Sequence, residues 1–187
     1  VEQKKIGSVN YAGRMGKSGA FMSIPLTQFA CDDDVELRKI IILNNLIGCS
    51  HDETVRLCEQ WVIKNIKYVS DSRNNDRNEH WQFHWETLQT MRGDCEDGAI
   101  LLLNLLLNAG IPKNRILVRA GWVVNNGRRS GHAYVIYNRN QLGEEFIPID
   151  WCYHIKNNVI AERETLLKSK LYLKPWFQFG MGQSAWL

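Results

Sequence analysis

The chain has 187 residues, 44% hydrophobic and 23% charged, which suits one globular domain with a real core and leaves little room for a second. A net charge of +3 with scattered basic residues excludes the dense positive footprint of a nucleic-acid binder, and no zinc-finger, basic-zipper or RNP pattern is present. Five cysteines, an odd number without a Cys-x-x-Cys pair, argue against a disulfide framework and for a reducing compartment.

Residues 1 to about 30 hold Gly7, Gly13, Gly16 and Gly19 among Lys4, Lys5, Arg14 and Lys17 without sustained periodicity. They read as an extended arm that docks on a partner or on its own domain, ahead of a single domain over 31–187. Gly16-Lys17-Ser18 echoes a phosphate-binding loop, but Tyr11 stands where that loop needs glycine and no apolar strand precedes it. Asp32, Asp33 and Asp34 cap a first helix expected to reach about Leu46, with Gly48 as its stop. Ser50 with Glu53 is a capping box, opening a second helix through Val55, Cys58, Val62 and Ile66.

Asp71 to His80 is too charged and too rich in Asn for a core and is expected to be an exposed loop. Trp81, Phe83, His84 and Trp85 then crowd large rings together, as core or groove wall, with His80 and His84 read as hydrogen-bonded scaffold. Glu86 to Leu88 is a short helical turn leading to Arg92-Gly93.

From Asp94 or Cys95 up to a stop at Gly110 the pattern is a buried helix. Asp94 is a good N-cap, Asp97 completes a capping-box-like arrangement, and Gly110-Ile111-Pro112 ends the run. Between Ala99 and Leu107 only Asn104 interrupts the apolar residues, so the helix belongs inside the domain. That run is far shorter than the roughly 20 residues a membrane span needs, and no signal peptide opens the chain as given. A soluble, cytoplasmic protein is expected, without nucleic-acid or membrane partners. Cys95 in the first turn sits beside unpaired backbone N–H groups at the positive end of the helix dipole, which favours thiolate. Its plain alternative is one more small buried residue.

After Pro112 the grammar changes to strands: Arg115 to Val124, a turn at Asn125-Asn126-Gly127, Gly131 to Tyr137, a turn from Asn138 to Gly143, and Glu145 to Asp150. The strands form an antiparallel meander. Centring the hairpins on their turns sets Trp122 opposite His132 and His132 opposite Asp150, and a one-residue slip would turn a side chain to the other face. If the helix packs across the sheet, Cys95 reaches a His132 ring whose other nitrogen donates to Asp150, the geometry of an activated thiol. Trp122 and Tyr134 are candidates for the substrate groove beside it. Arg128 and Arg129 are expected to be solvated at a hairpin tip. Cys49 with His51, and Cys152 with His154, lack the tight spacing of structural zinc, and neither a metal nor a cofactor is expected.

Trp85-Glu-Thr-Leu, Arg92-Gly-Asp-Cys95-Glu-Asp-Gly-Ala, Ala109-Gly-Ile-Pro112, Gly131-His132-Ala-Tyr134-Val and Ile149-Asp150 together resemble the transglutaminase-like cysteine enzyme superfamily, especially its small bacterial and bacteriophage members. The resemblance covers about residues 55 to 152. It implies a papain-like α+β fold with a central helix against an antiparallel sheet, and Cys95, His132 and Asp150 as a triad. The chemistry implied is acyl transfer from an amide of a protein or peptide substrate through a thioester, to water in a peptidase or amidase, or to an amine in a transglutaminase. The Cys95 N–H is the natural first oxyanion donor. For a second donor, Gln89 has the spacing of the papain-type glutamine, whereas Trp81 or Trp85 would match the upstream aromatic donor of transglutaminases. Beyond the resemblance, Ala161 to Lys168 suits a short exposed helix, and the tail from about residue 171 is aromatic, so it either covers its own core or meets a protein partner. The alternative function, carried by the arm and the tail together, is therefore a structural or docking subunit of a phage or bacterial assembly, virion-associated if phage-encoded.

Overall fold

The computed structural model describes residues 11–15, 21–70, 80–140, 145–153 and 159–187. Gly16-Lys17-Ser18, His154, and all of the Asp71–His80 loop except His80 lie outside the described residues, and His80 itself is buried. Within the expected arm, strands β1 (Tyr11–Met15) and β2 (Phe21–Pro25) pair antiparallel as a separate two-stranded sheet. The core takes hold before residue 31. Leu26 and Phe29, in a 3-10 turn, are fully buried, and the Phe29 ring stacks on Phe83 at 4.8 Å.

Helix α1 (Val35–Leu43) starts as expected, with Asp34 accepting the Leu37 N–H at 2.9 Å, but ends before Leu46. Asn44 Nδ2 donates to the Ile40 carbonyl at 2.8 Å and Asn45 takes φ 51°, a left-handed exit that asparagine tolerates. Helix α2 (His51–Asn65) is capped by Ser50, which accepts the Glu53 N–H at 3.2 Å. The Glu53 carboxylate accepts from the Cys49 N–H at 3.2 Å, one residue short of the reciprocal bond of a capping box. Short strands β3 (Lys67–Tyr68) and β4 (Arg92–Gly93) pair in parallel, with helix α3 (His84–Thr90) between them in sequence.

Helix α4 (Cys95–Asn108) is the centre of the molecule, and every residue from Ala99 to Leu107 is buried. Asp97 Oδ2 accepts the Asp94 N–H at 3.2 Å, the capping arrangement expected from the sequence. Asn104 ties rather than interrupts: its Nδ2 donates to the Phe29 and Ile100 carbonyls, each at 2.8 Å.

The main sheet is antiparallel, with β5 (Ile116–Asn125), β6 (Arg128–Asn138), β7 (Phe146–Ile149), β8 (Tyr172–Gly180) and β9 (Gln183–Trp186) in the order β7-β6-β5-β8-β9. Val118, Ala120, Val135, Tyr137 and Ile149 join α4 in the main core, while Leu117, Val123, Tyr134, Ile136 and Tyr172 form a second cluster. The aromatic tail thus covers its own core as β8 and β9, the first of the two fates its composition allowed. Residues 161–168 are not a helix: a 3-10 turn at Ile160–Glu162 is followed by Arg163, which is drawn inward to a buried ion pair with Glu59. No helix among the described residues is long and apolar enough to cross a membrane.

Candidate active site

Cys95 is the first residue of α4 and is held there by its backbone. Parallel pairing sets Tyr68 beside Gly93, and the Trp151 indole Nε1–H donates to the Cys95 carbonyl at 3.1 Å. The indole lies against Gly98, where any side chain would overlap it, so glycine in the first turn is a packing requirement.

His132 sits on β6, and its Nε2 pairs with Asp150 Oδ2 at 2.7 Å, with both side chains buried. Asp150 follows β7 and is saturated. Oδ1 accepts the N–H groups of Cys152 at 2.9 Å and Tyr153 at 3.2 Å, and Oδ2 also accepts the Tyr172 hydroxyl at 2.8 Å. The Tyr153 ring meets the imidazole edge-on at 4.7 Å. A cavity of about 490 Å³ brings the groups together: Cys95, His132, Tyr68, Trp151, Cys152 and Tyr153 all line it. Ser130 and Gly131 continue the lining along β6, and Ile63 and Ile66 close it from the end of α2.

The electrostatics oppose one expectation. Burial, then the carboxylates of Glu96 and Asp94, push the Cys95 thiol well above its ordinary value, whereas the helix start alone favours thiolate. The thiol donates to Glu96 Oε2 at 3.0 Å. Burial and the neighbouring Asp94 and Asp97 carboxylates raise Glu96 in turn, far above the usual carboxylate range. Asp94, Cys95 and Glu96 place potential ligand atoms within 4.8 Å of one another, as do His132, Asp150 and Cys152. In the second group Asp150 already accepts four hydrogen bonds, which leaves it no lone pair for a cation.

The remaining sequence candidates stand away from the cavity. Gln89 is exposed on α3, Trp85 is half-exposed and stacked on Phe83, and Trp81 is buried among Phe29, Phe177 and Phe179. The β5–β6 register differs by one residue from the hairpin-centred expectation: Gly121 faces His132, and Trp122 faces Gly131. Trp122 therefore packs edge-on against Trp176 at 4.9 Å, under the Arg129 guanidinium at 4.2 Å, and Arg129 is stacked on an aromatic ring rather than simply solvated. Tyr134 is buried in the second cluster, its ring beside His132 at 5.9 Å. Sequence reasoning passed over Tyr68, Trp151 and Tyr172. Trp151 and Cys152 adjoin Asp150 and were open to notice, whereas Tyr68 and Tyr172 reach the site only through strand pairing.

The sequence pattern of the family described as bacterial transglutaminase-like cysteine proteinase BTLCP matches residues 42–148. No curated protein matches the chain. Among solved structures, Legionella pneumophila LapG is similar with a TM-score of 0.60 at 16% identity, over 86% of this chain and 84% of that one. Calcium-bound Legionella pneumophila LapG gives 0.60 at 17% identity over 87% and 83%, and the EGTA-treated protein 0.58 at 16% over 86% and 82%. At such identities the likeness is one of fold: a papain-like helix laid against an antiparallel sheet. Because the matched span covers more than half of the chain and contains both the helix that begins at Cys95 and the strand that carries His132, this protein belongs to the bacterial transglutaminase-like cysteine proteinase family.

Proposed function

We propose that the protein breaks amide bonds of protein or peptide substrates by acyl transfer, with Cys95 as nucleophile, His132 as acid and base, and Asp150 as the group that orients the ring. One observation carries the reading: Cys95 shares its cavity with a His132 ring whose Nε2 is committed to Asp150 at 2.7 Å, which leaves Nδ1 for the thiol and the substrate. Proton transfer from Sγ to Nδ1 makes the nucleophile, attack on the carbonyl carbon gives a tetrahedral oxyanion, and the imidazolium then protonates the departing nitrogen. The Cys95 N–H at the start of α4 supports the oxyanion. For a second donor, Tyr68 replaces Gln89, Trp85 and Trp81 in this reading, because it lines the cavity and they do not. The thioester left on Cys95 passes to water in a proteinase or to an amine in a transferase.

Peptide mass spectrometry of a mixed peptide library treated with the protein and a labelled primary amine tests both steps. New termini that vanish in Cys95→Ala and His132→Ala are expected, with little amine incorporated. Unchanged peptides with the parent protein, or cleavage that survives Cys95→Ala, overturn the assignment. Of the two features behind the docking-subunit alternative, the arm and the aromatic tail, the tail is paired into the sheet as β8 and β9.

A divalent cation also belongs to this reading. Calcium-bound is said of LapG, and here Asp94 and Glu96 bracket Cys95, with the Asp94 carboxylate helping to raise that of Glu96, a hard oxygen pair suited to calcium, while the thiol is a poor ligand for it. Asp94 and Glu96 would hold the ion, and its charge would offset the carboxylates that keep the Cys95 thiol high. In the bare sequence the Asp-Cys-Glu run reads only as a helix cap, which is why no metal is expected from it.

A further inference from the structure

Resting on that catalytic reading, we propose that Tyr172 is a positioning residue that sets how firmly Asp150 holds the His132 ring and its proton, so that the C-terminal hairpin is part of the site. Tyr172 opens β8, which pairs with β5 rather than with the His132 strand, and it lies beyond the span matched by the family pattern. Its hydroxyl donates to Asp150 Oδ2 at 2.8 Å, the same oxygen that His132 Nε2 reaches at 2.7 Å. The two donors therefore compete for the charge of one oxygen.

Tyr172 is 7% exposed and Asp150 is fully buried, so water does not dilute this competition. The ring packs against Tyr134, with centroids 4.4 Å apart, in a cluster with Leu117, Val123 and Ile136, where phenylalanine would fill the same space. Only the hydroxyl distinguishes tyrosine there, and Asp150 is the partner it meets. Burial, followed by the Asp150 charge, raises the Tyr172 hydroxyl far above its ordinary value, which keeps it a donor. The other groups facing the pair are fixed or neutral. Tyr134 lies beside the ring on β6, its hydroxyl pushed up to about 12, chiefly by burial, with Arg119 of β5 near it. Glu59 of α2 accepts the Asp150 N–H and is neutralised by Arg163. Cys152 and Tyr153 give their backbone N–H groups to Oδ1, and Cys95 lies across the cavity. Among the described residues that donate to Asp150, His132 aside, Tyr172 alone uses a side chain, so it can be altered without moving backbone.

Ring-proton NMR of His132 in the full chain, assigned with His132→Ala, reads the effect. In Tyr172→Phe the Nε2–H signal should move downfield, and the ring should keep its proton to a pH about half a unit higher than in the parent, the scale of one lost neutral hydrogen bond to the carboxylate. Site-specific 3-fluorotyrosine at 172, a stronger donor of almost the same shape, should move both in the opposite direction, and it carries the test if the phenylalanine variant does not fold. Unmoved His132 signals in the fluorotyrosine protein overturn the proposal and leave Tyr172 a packing residue. If library cleavage survives His132→Ala, the catalytic reading fails, while the NMR shifts still decide whether Tyr172 governs the pair.

Discussion

Cys95 is held between two influences. The helix start favours thiolate, while burial and the carboxylates of Glu96 and Asp94 oppose it, and the opposition prevails. The thiol-to-carboxylate hydrogen bond at 3.0 Å makes Glu96 the nearest cause that a single substitution can remove. Glu96→Gln keeps the shape and removes the charge, so half-maximal alkylation of Cys95 by iodoacetamide should move to lower pH. Calcium added to the parent should move it the same way, EGTA should reverse the shift, and Glu96→Gln should respond weakly. An alkylation profile indifferent to both the substitution and the ion would contradict this account. Cys58 is an internal control: burial pushes it up to about 12, and it should stay unreactive while the protein is folded.

At the scale of elements, the N-terminus of α1 is a junction. Asp34 caps the helix through Leu37, accepts from His84 Nε2 at 2.8 Å, and gives its own N–H to Asn108 at the end of α4. Burial alone would raise the Asp34 carboxyl, but the His84 hydrogen bond, the Leu37 N–H and the His84 charge together hold it below its ordinary 3.8. A carboxyl lowered in the folded state binds its proton more readily once unfolded. Its contribution is therefore complete above about pH 3.8 and is lost as the pH falls through the lower folded value. Urea unfolding from pH 6 to pH 3 should show a shallower acid loss in Asp34→Asn than in the parent. Parallel acid limbs would show that the cap does not titrate with folding. His84 was legible as scaffold, but its partner lies fifty residues earlier and no local pattern announces the pairing.

Across the whole molecule, the buried pair of Glu59 and Arg163 joins α2 to the segment after Asp150, with bonds of 2.9 and 2.6 Å between matched oxygens and nitrogens. Burial raises the Glu59 carboxyl against the pull of Arg163, and Glu59 also accepts the Asp150 N–H, so the pair supports the site from below. Removing one partner strands a charge. Arg163→Met should cost about 3–5 kcal/mol in urea unfolding, and Glu59→Gln added to it should recover much of the loss. Equal destabilisation in the single and double variants would show that packing, not charge, is what Arg163 supplies.

Local patterns sufficed where the cause is local. The helix from Cys95 to Asn108, its cap at Asp94, the Ser50 cap and the β5–β6 turn follow from residues within a few positions of one another, because capping, periodicity and positive φ are short-range effects. His132 and Asp150 were also legible, since their hairpin differs from the expected register by two residues, which preserves the face: Val135 pairs with Ile149. Across β5 and β6 the difference is one residue, which turned Trp122 away from the cavity. Tyr68, Tyr172 and the Glu59–Arg163 pair needed the tertiary structure. They reach the site through β3–β4 pairing, the insertion of β8 beside β5, and an ion pair across more than a hundred residues, contacts that depend on how the whole chain closes its core.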